Sequence, residues 1–224
     1  MCGRFTRSAS ATTLVQQFDL VSIPTWSPRY NISPTQEVLA VVGTTATAKR
    51  QAPLLRWGLI RMWAEEPAVG SRMINARAET VASKPAFRRA FKGLRCLVLA
   101  DGFYEWQKQD RRKQPFCIRL RSGQPFAFAG LWERWAPQDG QPLDSCTIIT
   151  TVANDLIQPL HIRMPVILPP RDCGLWLDPD VQDPERLQPL LHPYAADQMV
   201  AFPVSTQVNS PANDTSECIA PLPS

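Results

Sequence analysis

The pattern of apolar and polar positions divides the chain into many short segments. Leu14, Val15 and Phe18 in A-T-T-L-V-Q-Q-F-D-L share one face of a helix over residues 11–20. Residues 21–35 carry Pro24, Pro28 and Pro34 and read as a loop. Residues 36–42 and 53–60 read as short strands, with Trp57-Gly58 at the end of the second. A polar loop over 62–74 precedes a short helix over 83–92, with Ser83 as N-cap and Pro85 in the first turn. The run L-R-C-L-V-L-A at 94–100 is apolar but for Arg95, the mark of a strand buried on both faces. Residues 114–121 and 125–132, joined by Ser122-Gly123, read as a hairpin. Residues 146–152 form another strand, Asn154-Asp155 cap a short turn of helix towards His161, and Pro165 opens a strand over 165–168. One or two short helices fall within 172–191 and a last strand over 199–204, and the tail after Pro211 is irregular. Strands outnumber helices, which predicts an α+β fold around a curved, barrel-like, mostly antiparallel sheet. No composition shift marks a linker, so residues 1–224 are expected to form one domain.

Composition narrows the class. There is no internal repeat and no run of 18 apolar residues, so no transmembrane helix is expected. Met1-Cys2-Gly3-Arg4-Phe5 lacks the apolar core of a secretory signal, which points to a cytoplasmic, nucleoid-associated protein. None of the six cysteines stands in a C-x-x-C pair and there are only two histidines, which argues against a disulfide framework and against a metal site. Cys96, Cys117 and Cys146 read as buried apolar residues. The net charge of +4 conceals an asymmetry. Residues 1–121 hold 20 Lys and Arg against 8 Asp and Glu, and residues 122–224 hold 4 against 12. Nineteen of the 24 cations are arginine, whose planar fork suits phosphate, so the basic half suggests a polyanionic partner.

Cys2 is the most informative residue. Methionine aminopeptidases remove an initiator Met that precedes a small side chain, and removal here leaves an α-amine and a thiol on adjacent carbons. The amine, with a pKa of roughly 7.7–8.0, is partly neutral near pH 7. A 1,2-aminothiol condenses with an aldehyde to an imine and then closes on it as a thiazolidine. Glu105 lies between Tyr104 and Trp106, where desolvation raises a carboxyl towards acid–base use. An outward-facing glutamate is the alternative. His161, in P-L-H-I-R-M-P, suits a proton shuttle or a structural role. His192 reads as a surface residue without a role. Asn75 can bond a sugar or imine oxygen, Arg77 can clamp a phosphate, and Glu79 can pair with an arginine. Trp63, Trp26 and Tyr30 can stack on bases or pack in the core.

Nine segments, in order along nearly the whole chain, resemble the SOS-response-associated peptidase (SRAP) family of abasic-site crosslinking proteins. They are M-C-G-R-F (1–5), R-Y-N-I-S-P (29–34), R-W-G-L-I (56–60), I-N-A-R-A-E-T (74–80), A-D-G-F-Y-E-W (100–106), F-A-G-L-W-E (128–133), I-I-T-T-V-A-N-D (148–155), P-L-H-I-R-M-P-V-I-L (159–168) and V-N-S-P-A-N-D (208–214). The resemblance implies a single α+β domain around a bifurcated, barrel-like sheet. It implies single-stranded DNA bearing abasic sites as partner, trapped as a thiazolidine on Cys2 with Asn75, Glu105 and His161 as catalytic residues. Arg4 and Arg77 are implied as phosphate ligands and Trp63 as a DNA contact. Lyase-like crosslinking, peptidase activity that removes residues ahead of the cysteine, reversal of the crosslink and replication-fork partners belong to the same expectation. So do a monomeric state and the lack of a cofactor. Arg61 stands where the family commonly has proline, and Glu65-Glu66 replace a Lys-Asp pair, which bears on the role of Trp63. The competing reading is an N-terminal-nucleophile cysteine amidohydrolase or peptidase that does not act on DNA.

Overall fold

A computed structural model of the chain describes residues 2–24, 26–43, 50–109, 112–137 and 140–223. Its thirteen strands are β1 (Phe5–Arg7), β2 (Arg29–Ile32), β3 (Glu37–Val42), β4 (Leu54–Trp57), β5 (Asn75–Arg77), β6 (Arg95–Ala100), β7 (Gly102–Gln109), β8 (Arg112–Leu120), β9 (Phe126–Trp135), β10 (Leu143–Val152), β11 (Arg163–Pro165), β12 (Ile167–Leu168) and β13 (Met199–Pro203). Its α-helices are α1 (Ala11–Phe18), α2 (Arg88–Gly93), α3 (Pro170–Leu177) and α4 (Pro184–Leu187).

Five strands close on themselves. β10 pairs with β4, β4 with β3, β3 with β6, β6 with β9, and β9 again with β10. Only the β10–β4 pairing within this ring is parallel. A second sheet, in the order β13-β8-β7-β1-β2, lies against the barrel. The fold is therefore α+β, with a barrel and a branching antiparallel sheet.

β6 shows why its sequence is apolar at every position after Arg95. Leu97 and Leu99 pack into a cluster with Leu14 and Phe18 of α1, Phe91 of α2 and Trp176 of α3. Cys96, Val98 and Ala100 face the opposite cluster, with Phe5 of β1, Phe103 of β7 and Phe128 of β9. The strand is covered by helices on one face and by the second sheet on the other. Phe5 anchors the second cluster through edge contacts with Trp57 and Phe128, at centroid distances of 5.1 and 5.7 Å.

Asp101 and Gly102 form the joint where the chain leaves the barrel at β6 and enters the second sheet at β7. A Cβ on Gly102 would lie 2.8 Å from Thr6 Oγ1 and 3.3 Å from the Ile118 carbonyl. The buried Asp101 carboxylate accepts from the Thr6 hydroxyl, the Ser8 hydroxyl and the backbone N–H groups of Ser8 and Ala9. One side chain thus pins the far end of β1 to the joint.

Several sequence expectations change. Residues 114–121 and 125–132 are not a hairpin: β8 pairs with β7 and β13, whereas β9 pairs with β6, β10 and β12. Phe126–Leu131 are all buried, which requires cover on both faces and leaves β9 no edge for β8. The loop at 21–35 contains β2, whose polar R-Y-N shows no alternation. Its register comes from β1 on one side, and on the other from Asp214, which accepts from Tyr30 N at 2.5 Å and Asn31 N at 2.8 Å. Ser83 is not an N-cap. Its hydroxyl donates to Thr80 O, and the helix starts at Arg88, because Pro85 restricts the residue before it and residues 79–87 form successive turns. The strand at 165–168 splits at Val166 between two partners, β10 and β9. The tail carries a short 3-10 turn at Ser216–Ile219 that buries Cys218.

Candidate active site

Cys2 precedes β1 and is buried in the cluster between the sheets. Antiparallel pairing of Phe5 with Phe103, and the Tyr104 N–H donating to Arg4 O at 3.0 Å, carry the N-terminal segment along β7. Continuing this register brings Gly3 opposite Glu105. Asn75 opens β5, which runs parallel to β10 with Asn75 opposite Ile148. Its Nδ2 donates to Cys2 O at 2.8 Å, fixing the residue that carries the thiol.

Burial pushes the Cys2 thiol well above the ordinary range, and the Glu105 charge adds to this, while the Arg4 backbone N–H works against it. The sulfur is therefore held as a neutral thiol. Glu105 is 3% exposed, and burial raises its pKa; the field of His161 opposes the rise. His161 follows a turn capped by Asn154, whose Oδ1 accepts from Ile157 N at 3.0 Å as the Asn-Asp pair predicts. Its Nδ1 lies 3.0 Å from the Arg163 N–H and 3.2 Å from the Arg163 carbonyl. Glu105 and His161 line an open cavity of about 450 Å³ together with Trp106, Lys113 and Asn209. The Trp106 indole donates to Asn209 Oδ1 at 2.7 Å.

The structure thus gathers Cys2, Asn75, Glu105 and His161 from four separate segments. Met1 lies outside the described residues. Arg4 is half-buried, and its Nη1 donates to Asn31 Oδ1 at 2.7 Å and Val208 O at 2.8 Å. Arg77 is exposed at the end of β5 beside Thr150; its carbonyl accepts from Thr80 N at 3.1 Å, and its guanidinium makes no hydrogen bond or ion pair among the described residues. Trp63 is 62% exposed, with the Arg61 guanidinium 3.8 Å from its ring centroid. Its loop is anchored by Met62 N on Glu133 and by Trp135 on Ala64 O. Glu133 pairs with Ser145, five residues and so about 17 Å along β10 from the Thr150 that faces Arg77. With Asn75 opposite Ile148, the same anchor lies three residues along β10 from the partner of Asn75. Trp26 and Tyr30 are half-buried against apolar clusters, and His192 is exposed.

Sequence reading passed over Asn209, Lys113 and Arg163. Trp106 was singled out only as a neighbour of Glu105, and Asn209 only within a family segment. Nothing local in K-Q-P-F or H-I-R-M-P shows that Lys113 lines a cavity with Glu105 or that Arg163 holds His161. No group of three or more His, Cys, Asp or Glu that could hold a metal occurs among the described residues. No helix there is long and apolar enough to cross a membrane.

Fold and site together define a protein with a cysteine buried at its N-terminal end between a barrel and a sheet, flanked by an amide, a carboxyl and an imidazole. The chain belongs to the SOS response associated peptidase (SRAP) family, whose model matches residues 1–211. It is similar to the abasic site processing protein YoqW of Bacillus subtilis (strain 168), with 45% identity over 223 residues spanning 98% of this chain and 99% of that one. It is also similar to the abasic site processing protein HMCES of Xenopus tropicalis, with 34% identity over 88% of this chain and 67% of that one. A crystal structure of a Bacteroides thetaiotaomicron protein shares the fold with a TM-score of 0.85, covering 99% of this chain and 100% of that one at 23% identity. A Bordetella bronchiseptica protein does so with a TM-score of 0.80, covering 91% and 100% at 28% identity.

Proposed function

We propose that this protein processes abasic sites in single-stranded DNA by trapping them covalently on Cys2 once Met1 has been removed. The α-amine adds to the open-chain aldehyde of the abasic sugar, and loss of water gives an imine. The thiol sulfur then adds to the imine carbon, and its proton passes to the nitrogen. Two bonds, C–N and C–S, hold the carbon in the thiazolidine, and one water leaves per adduct.

The observation that carries the reading is the convergence on Cys2. Asn75 bonds its carbonyl, and Glu105 and His161 line the cavity alongside. A buried thiol is a weak nucleophile while it keeps its proton, which favours attack by the amine first and ring closure by the thiol second. Glu105, with its raised pKa, accepts and returns protons at the amine and thiol. His161 protonates the sugar oxygen as the ring opens. The same two groups can run the reaction backwards and release the DNA. Arg4 and Arg77 would meet phosphates. Replication-fork proteins as further partners, nucleoid association, action as a monomer and removal of residues ahead of Cys2 belong to the same reading.

The test is an intact-mass spectrum before and after incubation with a single-stranded oligonucleotide bearing one abasic site. The expected result is a chain lacking Met1 and a denaturation-resistant adduct at the summed masses minus one water, absent in Cys2→Ala. Loss of Met1 without an adduct would overturn the reading and favour an amide-hydrolysing enzyme.

A further inference from the structure

His161 closes a half-exposed turn that Ile157 and Leu160 anchor in the second apolar cluster. Ile162, the next residue, is 75% exposed. The backbone holds the turn through Ile157 N and Gln158 N on Asn154 O, Leu160 N and His161 N on Ile157 O, and Ala153 N on Ile162 O at 3.1 Å. Arg163 orients the imidazole by presenting both an N–H and a carbonyl to Nδ1. A neutral ring with its proton on Nε2 accepts from the N–H; a charged ring donates to the carbonyl. The ring therefore keeps its place through a protonation cycle, provided that Arg163 itself does not move.

Arg163 lies in β11, a strand of three residues, and its side chain is held from two sides. Nη2 donates to Thr150 O at 2.6 Å, and Nη1 and Nη2 together grip the two carboxylate oxygens of Glu79, the Nη2 contact at 3.0 Å. Glu79 follows β5, the strand of Asn75 and Arg77, and the next residue back, Ala78, donates its N–H to Thr150 O at 2.9 Å. One bidentate ion pair thus ties the segment carrying Asn75 to the turn carrying His161.

We infer that Glu79 and Arg163 are positioning residues, a latch that holds His161 at the separation from Asn75 and Glu105 that the reaction needs. The inference rests on the proposed crosslinking reading for its kinetic consequence but not for its structural one. The contact with Arg163 holds the Glu79 carboxyl below the usual carboxylate range, so the latch stays charged through mildly acidic pH.

Glu79→Gln keeps the Arg163 charge and removes the bidentate grip. At saturating DNA, the rate of adduct formation should fall between about 10- and 100-fold, the scale of a small misplacement of a catalytic group. Binding of an oligonucleotide with a tetrahydrofuran abasic analogue, which has no aldehyde, should be unchanged. The pH–rate profile should change shape, and Glu79→Asp should recover part of the rate. Tighter binding of the analogue with an unchanged rate would show instead that Glu79 merely neutralises a phosphate-binding arginine, and would overturn the latch. A lower melting temperature with an unchanged rate would overturn it equally. Nitrogen-15 NMR of the imidazoles decides the matter even if the parent forms no adduct. With only two histidines the signals are few. The neutral His161 ring should be the Nε2–H tautomer in the parent and a mixture of both tautomers in Glu79→Gln; identical spectra would overturn the latch.

Discussion

Glu105 is ionisable in a place that disfavours its charge, and that has a signature in stability as well as in rate. A carboxyl whose folded pKa lies above its unfolded one keeps its proton longer in the folded state. Folding is then unpenalised below the unfolded pKa and loses stability as pH rises through the raised value. Glu105→Gln should therefore melt at a higher temperature than the parent near pH 8, with the gain vanishing by about pH 4. The same change should slow adduct formation by about 10²–10⁴, the usual worth of a general acid or base, as measured by quenched denaturing gels. Residue chemistry is the part of the site most legible in sequence. Cys2, Asn75, Glu105 and His161 announce themselves by side-chain type and neighbours, and the two aromatic residues beside Glu105 forecast its desolvation. Arg163 and Asn209 do not, because what makes them matter is a partner 84 or 103 positions away in the chain.

At the scale of elements, the decisive feature is the joint between β6 and β7. Asp101 holds the end of β1 through four hydrogen bonds, and β1 in turn fixes where Cys2 sits. Asp101→Ala leaves those donors without a partner and should cost about 1–3 kcal/mol or more, read by urea denaturation. It should lower adduct yield as well, by loosening the strand that leads to Cys2. Gly58 is a second fixed point. Its φ of 130° and the Gly70 carbonyl 2.5 Å from where a Cβ would stand leave room for no side chain. Most strands were legible from apolar runs, but their partners were not. The turn at Ser122-Gly123 looks like a hairpin locally, yet it carries the chain from one sheet to the other. Sheet partnership depends on how much cover each face needs, which a run of residues states only when every position is apolar, as over Cys96–Ala100 of β6 and Phe126–Leu131 of β9.

For the molecule as a whole, the charge asymmetry falls on structural lines. The basic half supplies β1–β8 and every proposed site residue but His161 and Arg163, and the acidic half supplies β9–β13. If the basic half meets DNA, binding of the tetrahydrofuran oligonucleotide should weaken with salt. The slope of log K against log salt should be about −0.7 per phosphate neutralised, and Arg77→Ala should reduce its magnitude by about that amount. A slope near zero in fluorescence anisotropy would remove the electrostatic partner. The α+β class and barrel were legible because strand-like runs recur with few helices between them. Closure of the ring was not, since it rests on the parallel β10–β4 pairing between segments some ninety positions apart.

The tail has a mechanical meaning. Val204 bridges Pro221, Asp214 grips β2, and Asn31 binds the carbonyls of Val208, Ser210 and Asn213. Val208 O also holds Arg4, two residues from Cys2, and Asn209 walls the cavity. A force applied at the C-terminus would load these contacts one after another, like a zip, whereas the ring of five strands behind them has no free edge and resists as a block. A machine pulling on that end would strip a wall from the cavity and release Arg4 while the barrel remained folded. The site would open first, and the fold around it would yield only afterwards.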